Sequence, residues 1–184
     1  MSEAALHVQT EIGTPRLRLR RLRPSDAALI ALYSSDRRVA WMTSVIPHPY
    51  PPGLAEAFIE RMLAPGAKEL SWAVDTGADG ENGLVGLIGL RPRGDDEAEI
   101  GYWVAPAFWG AGYAGEAVEG VAGWAANAGL RALTAGVFQD NEASTRVLLR
   151  AGFEYVGTDE IHALARGAMV PTFRYRRELA PGPR

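Results

Sequence analysis

The stretch EAEIGYWVAPAFWGAGYAGEAVEG constrains this chain more than any other part of it. Residues 97–104 read as a strand that breaks at Ala105 and Pro106. Glycines at 110, 112 and 115 then lead into apolar positions at helical spacing, Ala114, Ala117, Val118, Val121, Ala125 and Ala128, with Gly129 as the stop. A glycine turn opening a helix is a site for an anion, because unhindered backbone N–H groups converge there and the helix dipole favours negative charge. The spacing is that of the dinucleotide fingerprint G-x-G-x-x-G, but the context is wrong for it. The segment APAFW separates strand from turn, the motif arrives past the middle of the chain, and Asp140 lies farther on than the roughly 20 residues at which the fingerprint places its acidic residue. The anion survives this test and the dinucleotide fold does not.

The rest of the chain divides into alternating elements. RLRLRRLR, residues 16–23, predicts a first strand with Leu17 and Leu19 inward and its arginine face in water. PSDAALIALYSS follows as a helix with Ser25 or Asp26 as N-cap. IPHPYPP resists regular structure until Pro52 opens a second helix towards Leu63. LSWAVDT and GLVGLIGLRP are strands around a turn at GADGEN, and RALTAGVF is another. A helix over 141–150 buries Ala143, Val147, Leu148 and Ala151 and stops at Gly152, before closing strands in FEYVGTD and VPTFRYRREL. Gly120 and Gly123 each cost about 1 kcal/mol inside a helix relative to alanine, which points to close helix–sheet packing. The order predicts an α/β (α+β) fold, with a mixed, mostly antiparallel twisted sheet of six to seven strands flanked by helices.

Composition sets the remaining limits. With 184 residues, 47% of them hydrophobic, the chain suffices for one core, expected over 14–179 between an N-terminal extension (1–13) and a flexible tail (180–184). No apolar run approaches the roughly 20 residues of a spanning helix and no leader is evident, so a cytoplasmic protein without membrane association is expected. The absence of cysteine excludes an acyl-cysteine intermediate. Lys68 is the only lysine, and 22 acidic residues outweigh 19 basic ones, so direct nucleic-acid binding is not expected. His7, His48 and His162 are dispersed and form no metal-ligand spacing.

EIGYWVAPAFWGAGYAGEA, followed by NEASTRVLLRAGF, resembles the GCN5-related N-acetyltransferase (GNAT) family, and within it the branch of ribosomal-protein N-terminal acetyltransferases (RimJ/RimL-like). That family's phosphate loop is commonly Gln or Arg, two residues, Gly, one residue, then Gly or Ala; here those places fall on Trp109, Gly110, Ala111, Gly112, Tyr113 and Ala114, with tryptophan as the departure. Asn141 and Ser144 match an N-x-x-S pattern. The resemblance runs from about Leu84 to Gly157 and, without sharp motifs, back to Thr14. It implies a sheet that splays after its fourth strand, EAEIGYWV. Acetyl-CoA would act there as co-substrate, its pantetheine arm paired with backbone at Trp103 and Val104 and its pyrophosphate on the amides from Gly110 to Ala114. Asn141 would bond the arm, and Arg146 would meet a CoA phosphate unless Glu142, four residues earlier, claims it as an ordinary helix pair.

Acetyl transfer to an amine needs a neutral nitrogen, a site for the developing oxyanion and a proton for the departing thiolate. Under the resemblance Ser144 is the acid, Glu99 the base through water, and Tyr113 the reserve acid. The expected acceptor is a primary amine, first a protein or peptide N-terminal α-amine, with a small polycation such as an aminoglycoside or polyamine as the alternative. Lined by carboxylates, the pocket would favour the polycation. A CoA-binding module without catalysis is the alternative of another class. Trp41 and Tyr50 flank the proline loop and are candidate walls of the acceptor pocket, while His48 within the loop reads as a surface residue in reach of an acceptor. Oligomeric state, with a homodimer among the options, is left open.

Overall fold

The computed structural model describes residues 9–77, 83–94 and 96–180. Among them the elements run β1 (Ile12–Gly13), β2 (Arg18–Arg21), α1 (Ala27–Ser34), α2 (Arg37–Ala40), α3 (Leu54–Leu63), β3 (Leu70–Asp75), β4 (Leu84–Pro92), β5 (Glu97–Val104), α4 (Tyr113–Asn127), β6 (Ala132–Phe138), α5 (Glu142–Arg150), β7 (Glu154–Ala163) and β8 (Ala168–Glu178). One sheet holds the strands in the order β1-β2-β3-β4-β5-β6-β8-β7. Every neighbouring pair is antiparallel except β5 and β6. The two-residue β1 makes EAEIGYWV the fifth strand rather than the fourth.

Helices cover both faces. Ala117, Val118, Val121, Ala122 and Ala125 of α4 recur at helical spacing and pack with Leu148 of α5 against Leu19, Trp72, Val85, Ile88 and Ile100. On the other face Ala27 and Ile30 of α1 and Ala55 and Ile59 of α3 close over Ala73, Leu84 and Leu87. Both α4 and α5 end as the sequence predicts: Leu130 N–H and Phe153 N–H reach back to Ala125 O and Leu148 O, each at 3.0 Å, across Gly129 and Gly152.

Several local expectations are corrected. Asp26 does not cap α1 through its side chain. It turns back and, with Asp75, encloses Arg20: Arg20 Nη1 and Nη2 donate to Asp26 at 2.9 and 2.8 Å, and Arg20 Nε donates to Asp75 Oδ2 at 2.5 Å. The arginine face of the first strand is therefore not wholly in water, since Arg20 is 1% exposed. Helix α3 begins at Leu54, after Gly53 in the left-handed region, and not at Pro52. The short α2, with Asp36 Oδ1 accepting from Arg38 N–H at 2.8 Å, carries too few residues to show a period. Ala143 is exposed, on the face of α5 turned from the core, and β7 runs past FEYVGTD to Ala163. Gly120 does mark close packing, since a Cβ there would lie 3.0 Å from Thr14 Cγ2, but beside Gly123 nothing lies within 4 Å. Residues ahead of 14 join the fold: Trp72 Nε1 donates to Thr10 O at 2.9 Å and Trp124 Nε1 to Thr10 Oγ1 at 2.8 Å. The turn at GADGEN falls mainly outside the described residues, as does His7.

Replacing Arg20 by methionine leaves two buried carboxylates without their cation, and stability is expected to fall by about 3–5 kcal/mol. Urea titration reads this as a lower midpoint at unchanged slope. A loss under about 1 kcal/mol would contradict the role given to this ion cluster.

Candidate active site

Strands β5 and β6 pair only through Glu97, Ala98 and Glu99 against Ala132, Leu133 and Thr134. Beyond Glu99 they part, and β5 keeps only β4 as a neighbour. Arg93 N–H donates to Glu97 O and Ala105 N–H to Val85 O, both at 2.8 Å, which fixes the alternation along β5. The backbone groups of Glu99, Gly101 and Trp103 face β4, whereas those of Tyr102 and Val104 face the open edge. The expected pairing at Trp103 is corrected on this point, because its backbone is already committed to the sheet. Tyr102 and Val104 offer the free edge. The Val104 carbonyl is taken by the indole of Trp109, whose Nε1 donates at 2.6 Å, leaving its N–H for an incoming chain. Tryptophan at the head of the loop thus ties the loop to the end of β5.

The loop itself fits an anion. Gly110 and Gly112 hold φ of 79° and 82°, a region that side chains with a Cβ rarely adopt, and α4 starts directly afterwards. Among the described residues none of the N–H groups of Gly110, Ala111, Gly112, Tyr113 or Ala114 donates to a protein acceptor. Orphan donors at a helix N-terminus suit a pyrophosphate.

The mouth of the split opens into a cleft of about 990 Å³ on the α3 face. Glu99, Tyr102, Trp103, Asn141 and Ser144 all line it, as do Tyr50 and other residues of the proline loop. Tyr102 is the residue that sequence reasoning passed over. Its hydroxyl lies 2.8 Å from Ser144 Oγ, across the split between β5 and α5. Burial pushes the phenol up to about 12, although the bond to Ser144 opposes the shift. Asn141 caps α5 by accepting from Ser144 N–H at 3.1 Å, which uses its carbonyl and leaves its amide NH₂ for a ligand. No local pattern reveals the Tyr102–Ser144 pair, because the two residues meet only through the fold.

Other expected residues are engaged elsewhere. Glu99 is held by Arg93, whose Nε donates at 2.8 Å, and by Arg174 at 3.5 Å. The structure thus gives this carboxylate two arginine partners. Tyr113 does not line the cleft, and its ring lies under the guanidinium of Arg16 at 5.0 Å. Arg146 sits 3.4 Å from Glu142, the ordinary helix pair, with its side chain 60% exposed. Trp41 is flanked by Arg37 and Arg166 and, like exposed His48, does not line the cleft. Among the described residues no group of three or more His, Asp or Glu is placed to hold a metal ion, and no helix is long and apolar enough to cross a membrane.

A mixed sheet that opens beside a glycine loop at a helix N-terminus is the architecture of an acyl-CoA-binding transferase, and comparison with known proteins agrees. A family model described as the acetyltransferase (GNAT) domain matches residues 16–154. An uncharacterized N-acetyltransferase of Bacillus subtilis, YoaA, is 31% identical over 150 residues, covering 79% of this chain and 84% of its own. Among solved structures, a GNAT-family acetyltransferase from Bacillus anthracis superposes with a TM-score of 0.79 at 23% identity, covering 92% of this chain and 98% of that one. RimL, a ribosomal L7/L12 α-N-protein acetyltransferase solved with coenzyme A, gives 0.81 at 16% identity over 94% and 100%. The chain belongs to the GNAT family and is an N-acetyltransferase that uses acetyl-CoA.

The raised Tyr102 phenol carries a pH signature. A hydroxyl that ionises near 10 in the unfolded chain but only near 12 in the fold favours the folded state fully below pH 10, and this contribution fades as pH rises to about 12. Denaturant titrations at pH 8 and pH 11 should show a loss that Tyr102→Phe reduces. An equal loss in both proteins would remove the link.

Proposed function

We propose that the acceptor is the α-amine of a protein or peptide N-terminus, attacking directly in a ternary complex, with Ser144 as the acid and Tyr102 as the group that orients it. The observation that carries the acceptor reading is the charge of the cleft. Its apolar walls, among them Ile46, Pro47, Leu54, Phe58 and Trp103, carry Arg61, Lys68 and Arg91 as cations against Glu69 and Glu99 as anions. Glu69 is bonded to Arg91 at 2.8 Å and Glu99 to Arg93 and Arg174. Neither carboxylate is left for an aminoglycoside or polyamine, whose several positive charges need anions. An α-amine also needs less help: with a reference pKa near 8 against about 10.4 for lysine, it becomes neutral at pH 7 for about 1.4 kcal/mol rather than about 4.6. The RimL likeness, to a protein that acetylates an α-amine, supports the same choice.

Acetyl-CoA supplies the acetyl group as a thioester whose sulfur leaves as a thiolate. The amides from Gly110 to Ala114 are suited to its pyrophosphate, and the free edge at Tyr102 and Val104, with the Asn141 amide, to its arm. As the amine nitrogen bonds to the acetyl carbon and the C–S bond breaks, Ser144 Oγ gives its hydrogen to the leaving sulfur and takes up the proton that the nitrogen sheds. Tyr102 Oη and Ser144 Oγ share one hydrogen bond in which either hydroxyl can donate; with the tyrosine donating, the serine's own hydrogen is left for the split. Glu99 is shared between two guanidinium groups and is given no role as a base here, so the acceptor enters as its own free-amine fraction. Proximity in one cleft supplies roughly 7–11 kcal/mol, so modest acid–base help suffices.

A CoA-release assay across N-terminal peptides, aminoglycosides and polyamines tests this reading. Peptides should be turned over and polycations should not. Ser144→Ala should lower kcat about 100-fold with KM for acetyl-CoA unchanged, and Glu99→Gln should leave the pH profile in place. Preferred turnover of polyamines would overturn the acceptor, and full activity of Ser144→Ala at every pH would overturn the acid.

A further inference from the structure

The phosphate loop opens with a ring rather than a charge, since Trp109 spends its indole N–H on Val104. The cation that reaches the loop comes from the far end of the chain. Arg16, just ahead of β2, donates through Nη1 to the carbonyl of Ala111 at 2.8 Å and through Nε to Glu116 Oε2 at 2.7 Å. Its guanidinium covers the Tyr113 ring, and a Cβ on Gly112 would lie 3.3 Å from its Nη2. Glu116 completes the strap by accepting from Thr14 Oγ1 at 2.6 Å and from Arg16 N–H at 2.7 Å. Burial pushes the Glu116 carboxyl upward, but these hydrogen bonds outweigh it and hold the group below its ordinary range. The other arginine near the loop, Arg38 over the Trp109 ring at 5.7 Å, is bonded to Asp36.

We infer that Arg16 is the positioning residue of the pyrophosphate site, acting through the Ala111–Gly112 peptide and through Glu116. A peptide's carbonyl and the following N–H point in opposite directions. A guanidinium holding the Ala111 carbonyl therefore turns the Gly112 N–H to the side where an anion sits, and polarises it. The same guanidinium neutralises Glu116, a carboxylate in the first turn of α4 with its side chain 13% exposed, which would otherwise repel a phosphate. Arg16 Nη2 makes no hydrogen bond among the described residues and keeps a donor beside the loop. The inference rests on acetyl-CoA occupying this site, and it adds a residue whose contribution comes from charge and fork geometry together.

Calorimetry with CoA and tryptophan-fluorescence titration with pantetheine, which lacks the phosphates, separate positioning from general support, using wild type, Arg16→Gln, Arg16→Lys and Arg16→Gln/Glu116→Gln. Arg16→Gln should weaken CoA about tenfold or more and leave pantetheine unchanged. Arg16→Lys, which keeps the charge but not the fork, should fall between, and the double variant should recover part of the loss. Equal weakening of both ligands, or a CoA affinity within about twofold of wild type in both single variants, would overturn the inference. If Arg16→Gln does not fold, Arg16→Lys decides by the same comparison. A wild type that fails to bind CoA would instead overturn the acetyl-CoA site itself.

Discussion

Beyond Glu99 and Thr134, β5 and β6 stop sharing hydrogen bonds, and this interruption organises the rest of the molecule. A buried strand cannot leave backbone donors and acceptors unpaired without cost. On its other edge β6 keeps β8 along its whole length from Ala132 to Phe138, so its edge towards β5 is left open beyond Thr134 as well. The edge at Tyr102 and Val104 is left with one internal partner, the Trp109 indole. An extended ligand arm carrying amide groups meets the geometry of that edge as a missing strand would. The glycine loop at the end of β5, the start of α4 and the capped start of α5 surround the same gap. The wedge between the strands is thus the fold's defining irregularity and the site proposed for acetyl-CoA.

Two polar clusters tie the N-terminal segment to the rest of the fold. Arg20, Asp26 and Asp75 lock β2 to β3 and to the turn before α1. Arg16, Thr14 and Glu116 tie the segment before that strand to α4. The N-terminal arginines therefore do different work at alternate positions: Arg20 is enclosed in the fold, while Arg16 and Arg18 keep half-exposed side chains.

Periodicity and punctuation made most of the elements legible. The α4 helix, its glycine stop and the strands around it follow from spacing that a local window contains. Arg20 does not follow, because alternation assigns a side chain to a face without saying that Asp26, beyond the turn, and Asp75, on another strand, meet it there. The Tyr102–Ser144 pair was hidden for the same reason: serine was visible through its N-x-x-S setting, but its partner lies on another element. At Trp103 the error was one residue of strand phase, since adjacent residues turn their backbone groups to opposite edges. The loop glycines were legible because positive φ leaves a mark in residue type, whereas the charges that line the cleft are assembled from α3, β4, β5 and a loop with no shared motif.

Hydrogen–deuterium exchange with and without CoA measures the wedge most directly. If the open edge of β5 and the loop form the acetyl-CoA site, CoA slows exchange at Val104 and across 110–114 while the amides of α3 are unchanged. Slowing confined to α3 and the 42–54 loop, with the 110–114 amides exchanging as before, would contradict the account.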